Sequence, residues 1–319
     1  MNSFVFAFDC RLSTVDLFSR TIRAMDRRTF LQTSIAAATA AATGGSSRAA
    51  ETHHITKVGL QLYTVRDLMK KDFDGTIAKV AQTGYMEVEF AGYFGRTPEQ
   101  VRAVLRQNGL TSPSTHIDYE NVENKWPETL ERAKTIGHNF IVCPWIDEKQ
   151  RNAEGWKRAA DLFNNAGAAA QKSGIQFCYH NHAFEFEPAE GLGGKLPYDF
   201  LLASTDPKLV KMEMDLCWMT VGNQDPLKYF VAYPGRFPLV HVKDWTTKDA
   251  NGNNYEGATG PHSKPGHMTN VGQGDIDWKR IFANSNEAGI QHYFVENDEP
   301  KSAFDDIKIS RDYLAKLTF

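Results

Sequence analysis

Three side chains that could bind a metal close three successive apolar segments of this 319-residue sequence. Asp215, His241 and Glu296 each follow a short run of hydrophobic, β-prone residues. A mixed set of carboxylate and imidazole donors suits a divalent cation such as Mn, Zn, Mg, Co or Fe. If the three segments end side by side, the sequence predicts one divalent cation held by these residues.

A fourth segment ends in the sequence His180-Asn-His182. Side chains alternate along a β-strand, so Cys178, His180 and His182 lie on one face of it. Burying two imidazoles on an inward face costs free energy unless they are bound or hydrogen-bonded. The pattern favours a polar site at the end of this segment as well.

The elements that would position these residues are strands alternating with helices. β-prone runs occur at residues 58–63, 86–90, 113–117, 139–143, 175–182, 210–216, 239–243 and 292–296. Between them lie helical patterns, one of which begins with Thr97 as N-cap, Pro98 and a capping-box Gln100. Eight strands separated by helices predict an α/β fold in which a parallel sheet closes into a (β/α)8 TIM barrel. Active sites of such barrels lie at the carboxyl ends of the strands.

An open doubly wound sheet is the competing fold, but the first strand is not followed by the glycine-rich phosphate turn typical of it. No second-domain boundary or internal repeat interrupts residues 51–319, which are predicted to form one barrel domain. A long segment at 246–275, rich in Gly, Asn, His and Lys, is expected to be a loop at the catalytic face and a candidate lid. It contains His262, His267 and Gly272-Gln-Gly274, whose glycines only weakly resemble a phosphate-binding turn.

Residues 1–50 differ in composition from the rest of the chain. Arg27 and Arg28 precede a weakly apolar, Ala-rich run, and Ser47 and Ala49 fit a cleavage rule for small residues. This layout resembles a twin-arginine (Tat) signal peptide, with Met25 as the expected start and the leader removed on export. We therefore expect a periplasmic or otherwise exported protein that uses the Tat machinery.

Cysteine content fits that expectation only in part. Cys10 lies in the leader, and Cys143, Cys178 and Cys217 form an odd set without short paired spacing. Such a set argues against a disulfide framework and predicts buried free thiols. Tat substrates fold before export, so the protein does not need disulfides and can acquire its metal in the cytoplasm.

Net charge and the length of the hydrophobic runs argue against nucleic-acid binding and against a membrane anchor. The 36 basic and 39 acidic residues give a formal charge of −3, without the basic excess typical of nucleic-acid binding. No apolar run reaches the roughly 18 to 20 residues needed to cross a bilayer, so no stable membrane anchor is expected. The oligomeric state is left open between monomer and homo-oligomer.

The sequence motifs at the strand ends resemble those of a known group, the sugar phosphate isomerase/epimerase superfamily of xylose isomerase-like barrels. The resemblance runs from Val58 to the C-terminus. It is carried by the following motifs: Gly59-Leu-Gln-Leu-Tyr-Thr-Val-Arg66, Val88-Glu-Phe-Ala-Gly92, His180-Asn-His182, Met214-Asp-Leu216, His241-Val-Lys-Asp244, Val271-Gly-Gln-Gly-Asp-Ile-Asp-Trp278 and Val295-Glu-Asn-Asp298. Relatives include endonuclease IV, tagatose 3-epimerase and inosose dehydratase.

The resemblance implies one cation bound by Glu, Asp, His and Glu from strands five to eight, of which Asp215, His241 and Glu296 match the last three. His180 stands where the first glutamate is expected, as in the similar inosose dehydratases, and is the predicted fourth ligand. Cys178 and Glu185 are alternatives. Losing that carboxylate also removes half of the acid/base pair of tagatose-type epimerases.

The remaining polar residues at the strand ends are assigned catalytic or substrate-binding roles. His182 is the expected base, with Glu296 as a second proton carrier and Lys243 as an electrophile or proton donor. The predicted substrate-binding residues, each with a structural alternative, are Glu89, His116, Arg66 and Trp218. Trp145, Trp218 and Trp245 are candidate walls for a sugar ring.

The expected chemistry is proton abstraction beside a carbonyl that the cation polarises, giving an enediolate. The predicted function is a metal-dependent sugar isomerase or epimerase acting on a free sugar, keto-sugar or inositol derivative, since phosphorylated substrates are scarce outside the cytoplasm. The alternatives are a dehydratase or lyase, a metal-assisted hydrolase of an oxidised glycoside, and a non-catalytic carbohydrate-binding barrel. An endonuclease IV-like phosphodiesterase would need three metals and a basic groove. The formal charge of −3 and the single set of metal ligands argue against both.

Overall fold

Eight parallel strands form a closed barrel in the computed structural model, which describes residues 52–255 and 263–319. The predicted leader at 1–50, with Met25 as its start, lies outside the described residues, as does His262. The barrel strands are β1 (Val58–Gln61), β2 (Glu87–Ala91), β3 (Thr111–His116), β4 (Phe140–Cys143), β5 (Gln176–His180), β6 (Val210–Asp215), β7 (Leu239–Val242) and β10 (His292–Val295). Strand order around the barrel is β1-β10-β7-β6-β5-β4-β3-β2, which confirms the predicted TIM barrel.

Helices connect and surround the strands. In the part of the chain that the structure describes they are α1 (Arg66–Lys71), α2 (Phe73–Thr83), α3 (Pro98–Gln107), α4 (Tyr119–Asn124), α5 (Trp126–Ile136), α6 (Ala153–Lys172), α7 (Pro197–Ser204), α8 (Leu216–Val221), α9 (Pro226–Ala232), α10 (Trp278–Phe282), α11 (Ser285–Ala288) and α12 (Ala303–Leu314). Short 3-10 helices occur at Leu62–Val65, Glu148–Gln150 and Phe184–Phe186. Among the described residues, no helix is both long and apolar enough to span a membrane.

Local sequence explains where several helices begin and end. The side chain of Thr97 accepts a hydrogen bond from the Gln100 amide while the Gln100 side chain accepts one from the Thr97 amide, which confirms the predicted capping box at α3. Gly84 and Gly137 follow α2 and α5 with φ angles of 100° and 105°. Only glycine adopts this left-handed conformation without strain, so these helices stop there and the chain turns into the next strand.

The barrel interior is apolar at one level and polar at the next. Cys178, Leu239 and Phe294 belong to one buried apolar group inside the barrel, together with Phe140 and Val142. Each of the first three precedes by two residues a polar side chain on the same face, namely His180, His241 and Glu296. The apolar layer therefore closes the barrel beneath the polar residues, which collect at the carboxyl ends of the strands.

The long segment after β7 forms a small sheet of its own. β8 (Asp244–Thr246) pairs antiparallel with β9 (His267–Thr269), and residues 256–262 between them are not described. The lid assigned to this segment stays a prediction. β5 ends at His180, two residues earlier than predicted, so His182 lies in the loop that follows the strand.

Candidate active site

A cavity of about 1060 Å³ opens at the carboxyl end of the barrel. Its lining includes His116, His180, His182, Lys243 and Glu296, which come from four barrel strands or from the loops directly after them. The volume is ample for a sugar-sized ligand, and ligand pockets of proteins commonly fall near this size. The cavity is the candidate active site.

Three of the predicted metal ligands come together beside this cavity. Asp215 ends β6, His241 lies in β7 and Glu296 follows β10, and these strands are neighbours in the barrel. Their donor atoms lie within 4.8 Å of one another, and all three side chains are buried. The convergence expected from the strand ends is therefore present, and cation binding itself stays a prediction.

The chemistry of this trio fits a divalent cation. Oδ1 of Asp215 accepts a hydrogen bond from the Trp218 amide (2.8 Å), while Oδ2 forms an ion pair with Nζ of Lys243 (3.0 Å). Burial raises the pKa of Asp215 to about 6, against the opposing effects of Lys243 and His241. Two buried carboxylates next to an imidazole are a suitable donor set for a metal ion.

Lys243 places a positive charge on the same group. Its Nζ atom lies 2.7 Å from Glu296 Oε2, 3.0 Å from Asp215 Oδ2 and 2.9 Å from Asp298 Oδ1. Burial alone would lower the pKa of Lys243, but the three carboxylates raise it well above its ordinary value. For Glu296, burial opposes ionisation, and Lys243 and His241 nevertheless lower its pKa. Asp298 had no predicted role, although it lies two residues after Glu296 in the motif Val295-Glu-Asn-Asp298.

His180 belongs to a second group of donors that lies next to the first. His116, His180, Glu213 and His241 also offer donor atoms within 4.8 Å of one another, so the two groups share His241. His180 directs Nδ1 to Glu213 Oε2 (3.1 Å), and its Nε2 lies 3.8 Å from Asp215 Oδ2. Burial lowers the pKa of His180, which keeps the ring neutral and able to bind a metal. Its role as the fourth ligand stays a prediction, as do the alternatives Cys178 and Glu185.

His182 lines the cavity without a carboxylate partner. Its ring packs edge-on against Trp145, with centroids 4.8 Å apart, and stacks near Trp218 at 6.0 Å. Nδ1 of His182 makes no hydrogen bond to a described residue. Burial, followed by the nearby charge of Lys243, lowers the pKa of His182 well below its ordinary value. The ring is therefore neutral near pH 7 and can accept a proton.

His116 has the opposite environment. Its Nε2 atom lies 2.7 Å from Oε2 of Glu213 and 3.2 Å from Oε2 of Glu89. Burial alone would lower the pKa of His116, but the two carboxylates raise it to about 9. The cavity thus contains one imidazole that is protonated near pH 7 and another, His182, that is neutral.

Glu89 and Glu213 lie deeper than the sequence suggested. Both carboxylates are fully buried and neither lines the cavity. Glu89 accepts hydrogen bonds from Gln61, Ser114 and His241. Glu213 had no predicted role, because its position two residues before Asp215 on β6 does not show which side chains of other strands lie at its depth.

Arg66 and one of the three candidate tryptophan walls line the cavity, and the other two tryptophans do not. Arg66 lines the cavity, stacks on the Tyr63 ring at 4.1 Å and donates to the Asp298 backbone oxygen (3.0 Å). Trp145 also lines the cavity and is partly exposed. Trp218 is not part of the lining and lies in the first turn of α8, where its ring contacts His182 and Trp245. Trp245 is buried, and its indole nitrogen donates to the Pro265 backbone oxygen.

The glycine turn at 272–274 surrounds one of the protein's own carboxylates. Asp244 accepts hydrogen bonds from the amides of Gly272 (2.8 Å) and Gly274 (3.2 Å) and from the Trp278 indole (3.0 Å). Amides of Trp245 and Ile276 also donate to it. The turn therefore anchors the loop after β9 rather than offering its amides to a phosphate.

The structure also describes the three cysteines of the barrel domain and His267 of the long segment after β7. Cys143, Cys178 and Cys217 are buried free thiols, as predicted. His267 lies on β9 and packs against the Tyr255 ring, with centroids 5.2 Å apart.

Comparisons with known proteins agree with the fold. The family model described as a xylose isomerase-like TIM barrel matches residues 77–317. Inosose dehydratase of Geobacillus thermodenitrificans is 25% identical over 253 residues, which cover 72% of this chain and 83% of the relative. A solved sugar phosphate isomerase/epimerase of Parabacteroides distasonis is 26% identical, with a TM-score of 0.64 over 85% of this chain and 96% of that one.

Two more distant structures show similarity of fold alone. The IOLI protein, solved with a bound zinc atom, is 12% identical, with a TM-score of 0.60 over 80% of this chain and 95% of that one. A xylose isomerase-like barrel of Mycobacterium smegmatis, solved with magnesium, is 14% identical, with a TM-score of 0.59 over 82% and 95% of the two chains. From the family match over most of its length, this chain belongs to the xylose isomerase-like TIM barrel family.

Proposed function

We propose that this protein is a divalent-cation-dependent dehydratase. Its substrate would be a keto-sugar or keto-polyol, from which it removes the proton beside the carbonyl and then expels a hydroxyl from the next carbon. The observation that carries this proposal is the contrast between two imidazoles of one cavity. His116 is held by two carboxylates, whereas His182 has none. Neighbouring groups whose environments favour opposite protonation states are the usual arrangement for an acid and a base.

His182 acts as the base in this scheme. Its neutral ring lines the cavity, and Nδ1 is not engaged by another described side chain. Because burial lowers its pKa, the ring is unprotonated near pH 7, which is the state a base must have before it abstracts a proton beside a carbonyl. Trp145 and Trp218 pack against the ring and limit its rotation.

His116 supplies a proton to the departing hydroxyl, so that water leaves. Nε2 faces Glu213 and Glu89, so Nδ1 is the nitrogen from which His116 would donate to a substrate. The two carboxylates keep the ring protonated in the resting state, which is the state an acid must have. The proton taken by His182 and the proton given by His116 balance the reaction, because elimination of water consumes no other reactant.

Lys243 stabilises negative charge that develops on the substrate oxygen. Its ammonium is oriented by Asp215, Glu296 and Asp298, so little reorganisation is needed during reaction. A divalent cation bound by Asp215, His241 and Glu296 would polarise the substrate carbonyl as a Lewis acid. The nitrogen-containing donor set suits Zn, Mn or Co, and the zinc- and magnesium-bearing structures of the same fold support cation binding.

Epimerisation is the second candidate. The sugar phosphate isomerase/epimerase of Parabacteroides distasonis, at 26% identity, favours it. Both reactions begin with the same proton abstraction, and they differ in whether the carbanion is reprotonated or loses a hydroxyl. The inosose dehydratase relatives support the second outcome.

Turnover in deuterated water distinguishes these possibilities. We expect inososes or 3-keto-sugars to give an unsaturated or diketone product with one equivalent of water lost. His182→Asn should abolish both product formation and deuterium exchange into recovered substrate. His116→Gln should reduce product formation by about 100-fold while exchange continues, since only the acid is removed.

Other outcomes would overturn the proposal. Deuterium at an inverted carbon with no loss of water would identify an epimerase. Product formed by hydrolysis without exchange would identify a hydrolase. Carbohydrate binding without turnover, unaffected by chelation, would indicate a non-catalytic barrel.

Export through the Tat pathway is also a proposal. It is supported by Arg27 and Arg28 before the Ala-rich run and by the three free thiols of the described domain. Fusion of residues 25–50 to a reporter should direct it across the membrane of a Tat-competent host. Replacing both arginines by lysine should retain the reporter in the cytoplasm, and equal export of the two fusions would contradict the proposal.

A further inference from the structure

Two buried carboxylates contact the imidazoles that are predicted to bind the cation. Glu89 of β2 contacts His241, with 2.7 Å between its Oε2 atom and the Nε2 atom of the ring. Glu213 of β6 contacts His180, with 3.1 Å between its Oε2 atom and the Nδ1 atom of that ring. Both carboxylates have no solvent exposure, and both also contact Nε2 of His116.

Stability alone does not account for this pair. Burying an ionised carboxylate carries a desolvation cost that its ion pairs roughly offset, and an apolar side chain would often be as stable. Glu213 makes its contacts to imidazoles through Oε2, while its Oε1 atom makes no hydrogen bond to a described residue. The orientation of Glu213 is therefore matched to the histidines above it.

The contacts determine which nitrogen of each ring faces the cation site. His241 directs Nε2 to Glu89 and Nδ1 to Glu296, at 2.8 Å. An N–H at Nε2 that donates to Glu89 leaves Nδ1 as the nitrogen able to bind a metal. In the same way, an N–H at Nδ1 of His180 donates to Glu213 and leaves Nε2, which lies 3.8 Å from Asp215 Oδ2, for the metal.

We propose that Glu89 and Glu213 are positioning residues that fix the tautomer and orientation of His241 and His180 and thereby set the affinity of the site for a divalent cation. Carboxylates that accept the second N–H of a ligating histidine commonly raise metal affinity by about 10- to 100-fold. This inference rests on the proposed function only in requiring that the site binds a cation.

The test is a titration of chelator-treated protein with Co²⁺ or Zn²⁺ in competition with a chromophoric chelator. Wild type should bind one cation per chain, and failure at this step would refute the proposed function instead. Glu89→Gln and Glu213→Gln should each bind the cation about 10- to 100-fold more weakly. The visible spectrum of the Co²⁺ forms should shift, because the ligand rings change orientation.

Glu87→Gln is the matched control. Glu87 is also buried on β2 and contacts an imidazole, His292 Nδ1, at 2.7 Å, but at the opposite end of the strand. This variant should keep wild-type cation affinity even if its thermal midpoint falls. Circular dichroism of the metal-free variants identifies any that do not fold, and either of Glu89→Gln and Glu213→Gln is sufficient to decide.

Two results would overturn the inference. Affinities within threefold of wild type for both variants would show that these carboxylates do not influence the site. A second cation bound per wild-type chain and lost in Glu213→Gln would show that His116, His180, Glu213 and His241 bind metal themselves.

Discussion

The Nζ atom of Lys243 lies 2.7 Å from Oε2 of Glu296, one of the three residues that converge as a candidate cation site. The ammonium also contacts Asp215. A protein cation and a divalent metal ion would thus share two carboxylates. Electrostatic repulsion between them should weaken metal binding, and the same charge should stabilise an anionic intermediate.

Lys243→Met should therefore tighten metal binding while lowering turnover. We expect the dissociation constant for Zn²⁺ or Mn²⁺ to fall by at least about tenfold, because the repulsion is removed within a buried group of charges. The turnover number should fall by about 100-fold, the usual loss when one preorganised electrostatic contact is removed. Calorimetric metal titration and steady-state kinetics measure the two effects.

Lys211→Met provides the comparison for Lys243→Met. Lys211 lies on β6, and its ammonium donates to the Gly235 backbone oxygen rather than to the active site. Its replacement should leave both quantities unchanged. Metal binding by Lys243→Met that is no tighter than wild type would contradict the predicted competition.

Asp244→Ala should destabilise the barrel without a direct effect on chemistry. The buried carboxylate of Asp244 accepts hydrogen bonds from Gly272, Gly274 and Trp278, whose donors would lose their partner. We expect a loss of about 2 to 4 kcal/mol in the free energy of unfolding, which lowers the thermal midpoint by about 5 to 10 °C. Thermal unfolding of the metal-free protein measures it.

Asp249→Ala is the control for Asp244→Ala, because Asp249 accepts similar backbone hydrogen bonds from Asn251 and Asn253 on the exposed surface. It should lower the thermal midpoint by no more than about 2 °C, as expected for a surface substitution. Equal effects of the two variants would contradict the anchoring role of Asp244.

His138 should make stability depend on pH. Burial lowers the pKa of His138 to about 4, and the ring is held by Tyr93 and by the Ser112 backbone oxygen. In the unfolded chain the pKa is about 6.5, so below that pH the unfolded state binds a proton that the folded state does not. This contribution to stability is complete above about pH 6.5 and is lost as the pH falls toward 4.

His138→Asn isolates that contribution. Between pH 7.5 and 4.5, wild type should lose about 2 kcal/mol more stability than the variant, because the variant cannot take up the proton in its unfolded state. Urea unfolding at both pH values measures the difference. Parallel losses in the two proteins would contradict the assignment to His138.

The fold was predictable because its signals are local. Apolar runs mark the eight strands, and residues such as Thr97 and Gln100 mark a helix start through contacts within one turn. Convergence of Asp215, His241 and Glu296 followed from the rule that parallel strands end at one face. Each of these inferences needs only the identity and spacing of residues.

Depth within the barrel was not predictable in the same way. Alternation indicates that Glu89 and Glu213 point inward, but the level at which side chains of different strands meet depends on strand tilt and stagger. Their contacts with His180 and His241 therefore appear only in the structure. The same holds for Lys243, whose long side chain reaches three carboxylates on two different segments.

Cation binding by Asp215, His241 and Glu296 is the central claim, and metal analysis of substituted protein tests it most directly. Asn replaces Asp215 while keeping a capping oxygen for the Trp218 amide, and Gln replaces Glu296. We predict one divalent cation per chain in wild type, and neither bound cation nor turnover in the folded Asp215→Asn/Glu296→Gln double variant. Stoichiometric cation binding by that double variant would contradict the account.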